Sequence, residues 1–152
     1  MLVPSDKKPV YSTTFDHEAD DSAFSAYWLH FSKTIRANER KTFVKCCLDS
    51  IECDHTIVHI ETFMKVNYPK VFDDDFKATI SDKKNVEFMD FPIGSTSLPP
   101  YLVKQFKNNN KIVKQVSILK IHNKPRQTHQ TIVLQFILTR DGYKFCGYDT
   151  FG

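Results

Sequence analysis

A chain of 152 residues that is 41% hydrophobic, with thirteen Phe, six Tyr and one Trp, can bury roughly 70% of its unfolded surface as one domain and needs no staple to fold. No apolar run approaches the ~20 residues of a membrane-spanning helix, and four Cys with neither CxxC nor zinc-ribbon spacing leave no metal framework of that kind. The net charge of +3 hides an asymmetry: residues 1–90 carry 12 Lys and Arg against 16 Asp and Glu, while residues 91–140 carry 8 basic residues and no acid.

The opening "MLVPSDKKPVYSTTFDHEADD" lacks the apolar h-region of a signal peptide. At face value that gives a cytoplasmic chain, or a periplasmic or secreted one if the sequence is a mature form. Pro4 and Pro9 make residues 1–20 an extended polar arm, with a single domain over 21–152. Asp21 or Ser22 is expected to cap an amphipathic helix in which Phe24, Trp28, Phe31 and Ile35 recur every three or four residues, with Lys33 and Arg36 near its negative end. Asn38 is expected to cap a second, shorter helix with Val44, Cys47, Leu48 and Ile51 on one side, and "IECD" leaves it as a short strand. A third stripe, Ile60, Phe63 and Met64, runs to Tyr68, where Pro69 opens a new helical segment carrying Phe72, Phe76 and Ile80. "VEFMDF" at 86–91 predicts a strand. Pro99 and Pro100 suit the start of a short helix through Phe106, ended by "NNN" at 108–110.

The remainder predicts β structure. "KIVKQVSILKIHN" and "QTIVLQFILTR" are long β-branched runs, and Arg140-Asp141-Gly142-Tyr143 signals a tight hairpin. With Asp141 and Gly142 as the two turn residues, one face carries Ile132, Leu134, Phe136, Leu138, Phe145 and Phe151, interrupted by Gly147 and Asp149. The other face then carries Val133, Gln135, Ile137, Cys146, Tyr148 and Thr150. Gly147, alone in a strand, marks a bulge or a close approach that lets the sheet curve around Phe136.

Helices followed by a long antiparallel sheet make an α+β layer plan, with the helices packed on one side of a curved sheet. The order helix, helix, short strand, helix, strand, short helix, three long strands, ending in "GYDTFG", resembles the NTF2-like or cystatin-like superfamily over residues 21 to 152. The resemblance implies a cone-shaped fold. Such folds host enzymes, scaffolds, adaptors and toxin-immunity proteins, so it does not choose a function.

Two function classes follow. Fifty residues without a carboxylate predict a basic face that steers an acidic partner, formed by Lys111, Lys114, Lys120, Lys124 and Arg126, with Tyr148 beside them; a solvated, charge-guarded sheet face is the plainer reading. On this reading the protein is a non-catalytic protein-binding domain, most concretely an immunity or inhibitor protein for a cognate toxin, acting as a monomer or homodimer. The alternative is a small apolar ligand or isomerase substrate in a pocket formed by Trp28, Phe136, Phe145 and Asp149, where burial would raise the Asp149 carboxyl toward the range of a general base. No second acid, His or Tyr can be set beside Asp149 from sequence. Cys53-x-His55-x3-His59 has ligand types, but Thr56 stands where HExxH needs Glu, so neither metal nor cofactor is expected. The Asp73-Asp74-Asp75 run lacks EF-hand alternation and predicts a solvated helix turn. No GxSxG, Walker or GxGxxG pattern occurs. Nucleic acid is disfavoured: Tyr101 and Phe106 lie in the basic stretch without an RNP-like motif, and the pI is 8.6. The four Cys are either free buried thiols or include a disulfide, with Cys53–Cys146 first among the pairings.

Overall fold

A computed structural model describes residues 17–92, 112–122 and 128–152. The expected helix through Phe106, and Lys111, Lys124 and Arg126, lie outside the described residues.

The first helix, α1 (His17–Arg36), starts earlier than the expected cap at Asp21 or Ser22. The stripe Phe24, Trp28, Phe31, Ile35 is buried, as its spacing predicts. The second helix is shorter than its stripe: α2 (Arg40–Lys45) is followed at once by β1 (Cys47–Cys53). Asn38 takes a left-handed φ of 55° and Glu39 occupies the cap position. Cys47, Leu48 and Ile51 therefore belong to a strand, in which Ile51 and Cys53 point to the core and Glu52 away from it.

A two-residue turn, Asp54-His55, joins β1 to β2 (Thr56–His59). Both turn residues have positive φ, 48° and 74°, the mirror-image turn that matches strand twist. Asp54 is fixed there by accepting hydrogen bonds from the Thr150 backbone N–H at 2.6 Å and from the Thr150 hydroxyl. The stripe from Ile60 forms α3 (Ile60–Thr62), a wide π turn over Phe63–Asn67 and α4 (Tyr68–Val71). Pro69 has no N–H for an α-type bond, and the wider register, with Tyr68 N–H donating to Phe63 O, absorbs the break. Asp73 then caps α5 (Asp74–Ile80), its Oδ1 accepting from Phe76 N–H at 2.9 Å. A single 3-10 turn at Lys83–Asn85 leads into β3 (Val86–Pro92).

β4 (Ile112–His122), β5 (Thr128–Thr139) and β6 (Gly142–Phe151) complete one sheet in the order β2-β1-β6-β5-β4-β3. The fold is α+β with helices on a curved sheet. It is mixed rather than wholly antiparallel, because the last strand inserts between β5 and β1 and runs parallel to β1. The helix-facing side of the sheet meets the helices in one aromatic core: Phe31 lies edge-on to Phe136 at 5.0 Å, and Phe43 edge-on to Tyr68 at 4.9 Å.

The β5–β6 register departs from expectation twice. Thr139 pairs with Gly142, so the turn residues are Arg140 and Asp141. Only Gly142 takes positive φ, 104°, which is the common turn with glycine at its last position and spares Asp141 a left-handed conformation. A bulge at Cys146 then shifts the pairing, so that Phe136 faces Phe145 but Gln135 faces Gly147 and Leu134 faces Tyr148. Beyond it each β6 side chain lies on the face opposite to the one expected. Tyr143, Phe145 and Tyr148 join the core, while Gly147, Asp149 and Phe151 lie on the far face.

Candidate functional site

The expected pocket of Trp28, Phe136, Phe145 and Asp149 does not form. Trp28 and Phe136 are 6.1 Å apart and edge-on, Phe136 and Phe145 are 5.6 Å apart, and all three are buried. They are packed core. The Cys146 bulge puts Asp149 on the far face, where it accepts from Gln135 Nε2 at 3.2 Å. There Asp149 shares His55 with Glu52: His55 Nε2 is 3.9 Å from Asp149 Oδ1, and His55 Nδ1 is 3.9 Å from Glu52 Oε2. Burial raises both carboxyls above their ordinary range, Asp149 raises Glu52 further, and His55 opposes the shift in each. Glu52 Oε1 is buried without a hydrogen-bond partner.

The expected basic face is also rearranged. Strand alternation aims Lys114 and Lys120 at the helices, and each is only 2% exposed. Lys114 Nζ donates to Asp21 Oδ1 at 2.8 Å, and Lys120 Nζ donates to Asp73 Oδ2 at 3.0 Å and to Val71 O. The two lysines thus tie α1 and the start of α5 to the sheet. Asp73 is a cap and an ion-pair partner, not part of a solvated turn. Tyr148 is buried as well, its hydroxyl accepting from Asn67 Nδ2 at 3.1 Å, and its pKa is pushed up to about 12, chiefly by burial. His55 lies in a turn and His59 at a strand end, and His59 Nδ1 accepts from Glu61 N–H. No cluster of metal-binding side chains occurs among the described residues. All four Cys are free thiols, and burial raises their pKa values, that of Cys53 to about 11.

The feature that the structure does present is a cleft of about 450 Å³ between α1 and β3. Its floor is Trp28, Ile80 and Val86, and its walls are Leu29 and Phe88. Leu29 is 65% exposed and Phe88 48%. Phe88 is held upright by edge-on contacts with Phe24 and Trp28 at 5.7 and 6.0 Å. At one end the exposed cations Arg36 and Lys83 reach the rim, and no carboxylate among the described residues lines the cleft. Neither cation has an ion-pair partner among the described residues; the nearby Asp82 is taken by Lys84 at 3.6 Å. Sequence reading singled out neither Leu29 nor Phe88: Leu29 is an apolar residue off the core stripe of α1, and alternation alone does not say that the described helices stop short of β3.

The chain matches no protein-family model, and no curated protein or solved structure matches it.

Proposed function

We propose that this is a non-catalytic protein-binding domain that docks an acidic partner, most concretely a toxin-neutralising immunity or inhibitor protein on an NTF2-like or cystatin-like plan. The observation that carries the reading is the α1/β3 cleft: among the described residues its apolar walls are open to solvent, its two rim cations have no ion-pair partner and no carboxylate lines it. Exposed large apolar side chains grouped in one concavity and rimmed by charge are what a partner site requires. Arg36 and Lys83 take over the steering role expected of the strand lysines, and their worth lies chiefly in association rate. The internal-ligand alternative loses its support, since its three rings fill the core and its acid lies across the sheet.

The test is retention of partner on immobilised protein. The Arg36→Glu/Lys83→Glu variant should retain much less than the wild type at low salt, with the difference shrinking as salt screens the rim. Equal retention at all salt concentrations would remove the cleft as the docking site.

A further inference from the structure

We infer that the segment entering the cleft is an acidic amphipathic helix of about three turns, laid alongside α1 as the next helix of the layer. This rests on the protein-binding reading above and names its occupant.

Among the described residues, the helical layer covers the sheet incompletely. On the helix-facing side, the residues that β4 contributes, Val116 and Ile118, are fully buried, while their β3 partners are not: Val86, opposite Ile118, is half-buried and Phe88, opposite Val116, is half-exposed. Strands lie about 4.8 Å apart and packed helices about 8–10 Å apart, so the one strand that the described helices leave open gives about half the width of a helix, and a helix packed there against α1 overhangs the sheet edge.

The wall that α1 offers is a helix-packing surface. Ser25, Leu29, Ser32 and Arg36 line it at steps of 4, 3 and 4, a single ridge about 16 Å long. Ser25, small and exposed beside Leu29, leaves a hollow into which a partner's side chain fits, while Ser32 is buried in the ridge with its hydroxyl donating to Leu29 O. Opposite, Phe88 forms the sheet wall, with Val86 in the floor at its foot. A cleft of about 450 Å³ takes a few large apolar side chains, the number that three turns present at i, i+4 and i+7. Arg36 and Lys83 sit together at one end, so the acids belong on the partner's turn nearest them.

Strand addition to the free edge of β3 fits less well. An added acidic strand would run beside the exposed Glu87, and like charges on neighbouring strands destabilise pairing. Pro92 also removes a donor at the end of that edge.

The experiment is selection from two displayed 14-residue peptide libraries, one on a helix-enforcing scaffold and one unconstrained, against the full chain, with counterselection on Leu29→Glu/Phe88→Glu. Energy transfer from Trp28, the sole tryptophan and part of the cleft floor, to a dansyl group on each selected peptide reports binding. The expected result is helical binders with apolar residues at i, i+4 and i+7 and acids at one end, whose affinity falls at least tenfold on Arg36→Glu/Lys83→Glu. Binders with period-two alternation that still depend on Arg36 and Lys83 would overturn the helix while leaving the docking site standing. Failure of both libraries to yield binders that depend on Arg36 and Lys83 would overturn the site as well. Circular dichroism of each variant checks that its fold is retained, and Leu29→Ala with Arg36→Gln, milder changes at the same cleft, replaces any variant that fails to fold.

Discussion

Gly147 is where a single hydrogen atom decides the packing of the sheet. A Cβ there would stand 2.8 Å from the Glu52 backbone carbonyl and 3.1 Å from Gln135 Oε1, and the carbonyl cannot move without disturbing the parallel β1–β6 pairing. Gly147→Ala should therefore cost about 1–3 kcal/mol, the usual range for overpacking, read by urea denaturation; a change below half a kilocalorie would contradict the close approach. Glu52, beside it, makes a pH prediction. A carboxyl whose pKa is raised on folding holds its proton more tightly when folded. Its stabilising contribution is complete below the unfolded value and is lost as pH rises through the folded one. Stability should decline from about pH 4 upward, and Glu52→Gln should flatten that decline. An unchanged pH profile in the variant would show that Glu52 is not the group responsible. A lone Gly in a strand was legible as a bulge or close approach. Its neighbour was not, because Glu52 reaches it through a parallel pairing between strands nearly a hundred residues apart.

Among the elements, the two inward lysines of β4 change what a charge reversal would do. Lysines spaced along a strand read as solvent-facing guards unless one knows that Asp21 and Asp73 arrive from α1 and α5 to meet them. Removing one partner of a buried ion pair costs about 3–5 kcal/mol, less where the acid is partly open to water, as Asp73 is. Asp73→Ala strips both the Lys120 partner and the α5 cap, and a loss of about 3 kcal/mol is expected. Asp74→Ala, at a fully exposed neighbour, should change stability by under about 0.5 kcal/mol. Equal effects in thermal melts would sink the assignment. Helix α1 was legible from its stripe of three aromatic residues and Ile35, and β4 and β5 from their β-branched runs. The β5–β6 faces were not: the turn position moves the register by two residues and leaves the faces unchanged, but the Cys146 bulge moves it by one and reverses every face beyond it. Asp149 changed faces for this reason alone, and with it went the pocket that sequence patterning had assembled.

At the scale of the molecule, a solid aromatic core and an open edge cleft direct attention to the outside of the fold. Among the described residues the helical layer ends one strand early, so Leu29 and Phe88 are left in water where a partner would remove them from it, and Arg36 and Lys83 have no ion-pair partner where a partner's acids would meet them. The acid-poor stretch 91–140 predicted a basic docking face, but the cations at this cleft come from the acidic half of the sequence, because α1 and the turn before β3 converge there. The measurement that tests this most directly places a photoreactive side chain at Leu29 and, in a second variant, at Leu119, an exposed residue on the opposite face of the sheet, and maps the adducts formed with native partners. The account predicts adducts from position 29 within an acidic segment, none from position 119, and loss of the former on Arg36→Glu/Lys83→Glu. Adducts from position 119 alone, adducts at 29 indifferent to the two cations, or no adduct at either position would contradict it.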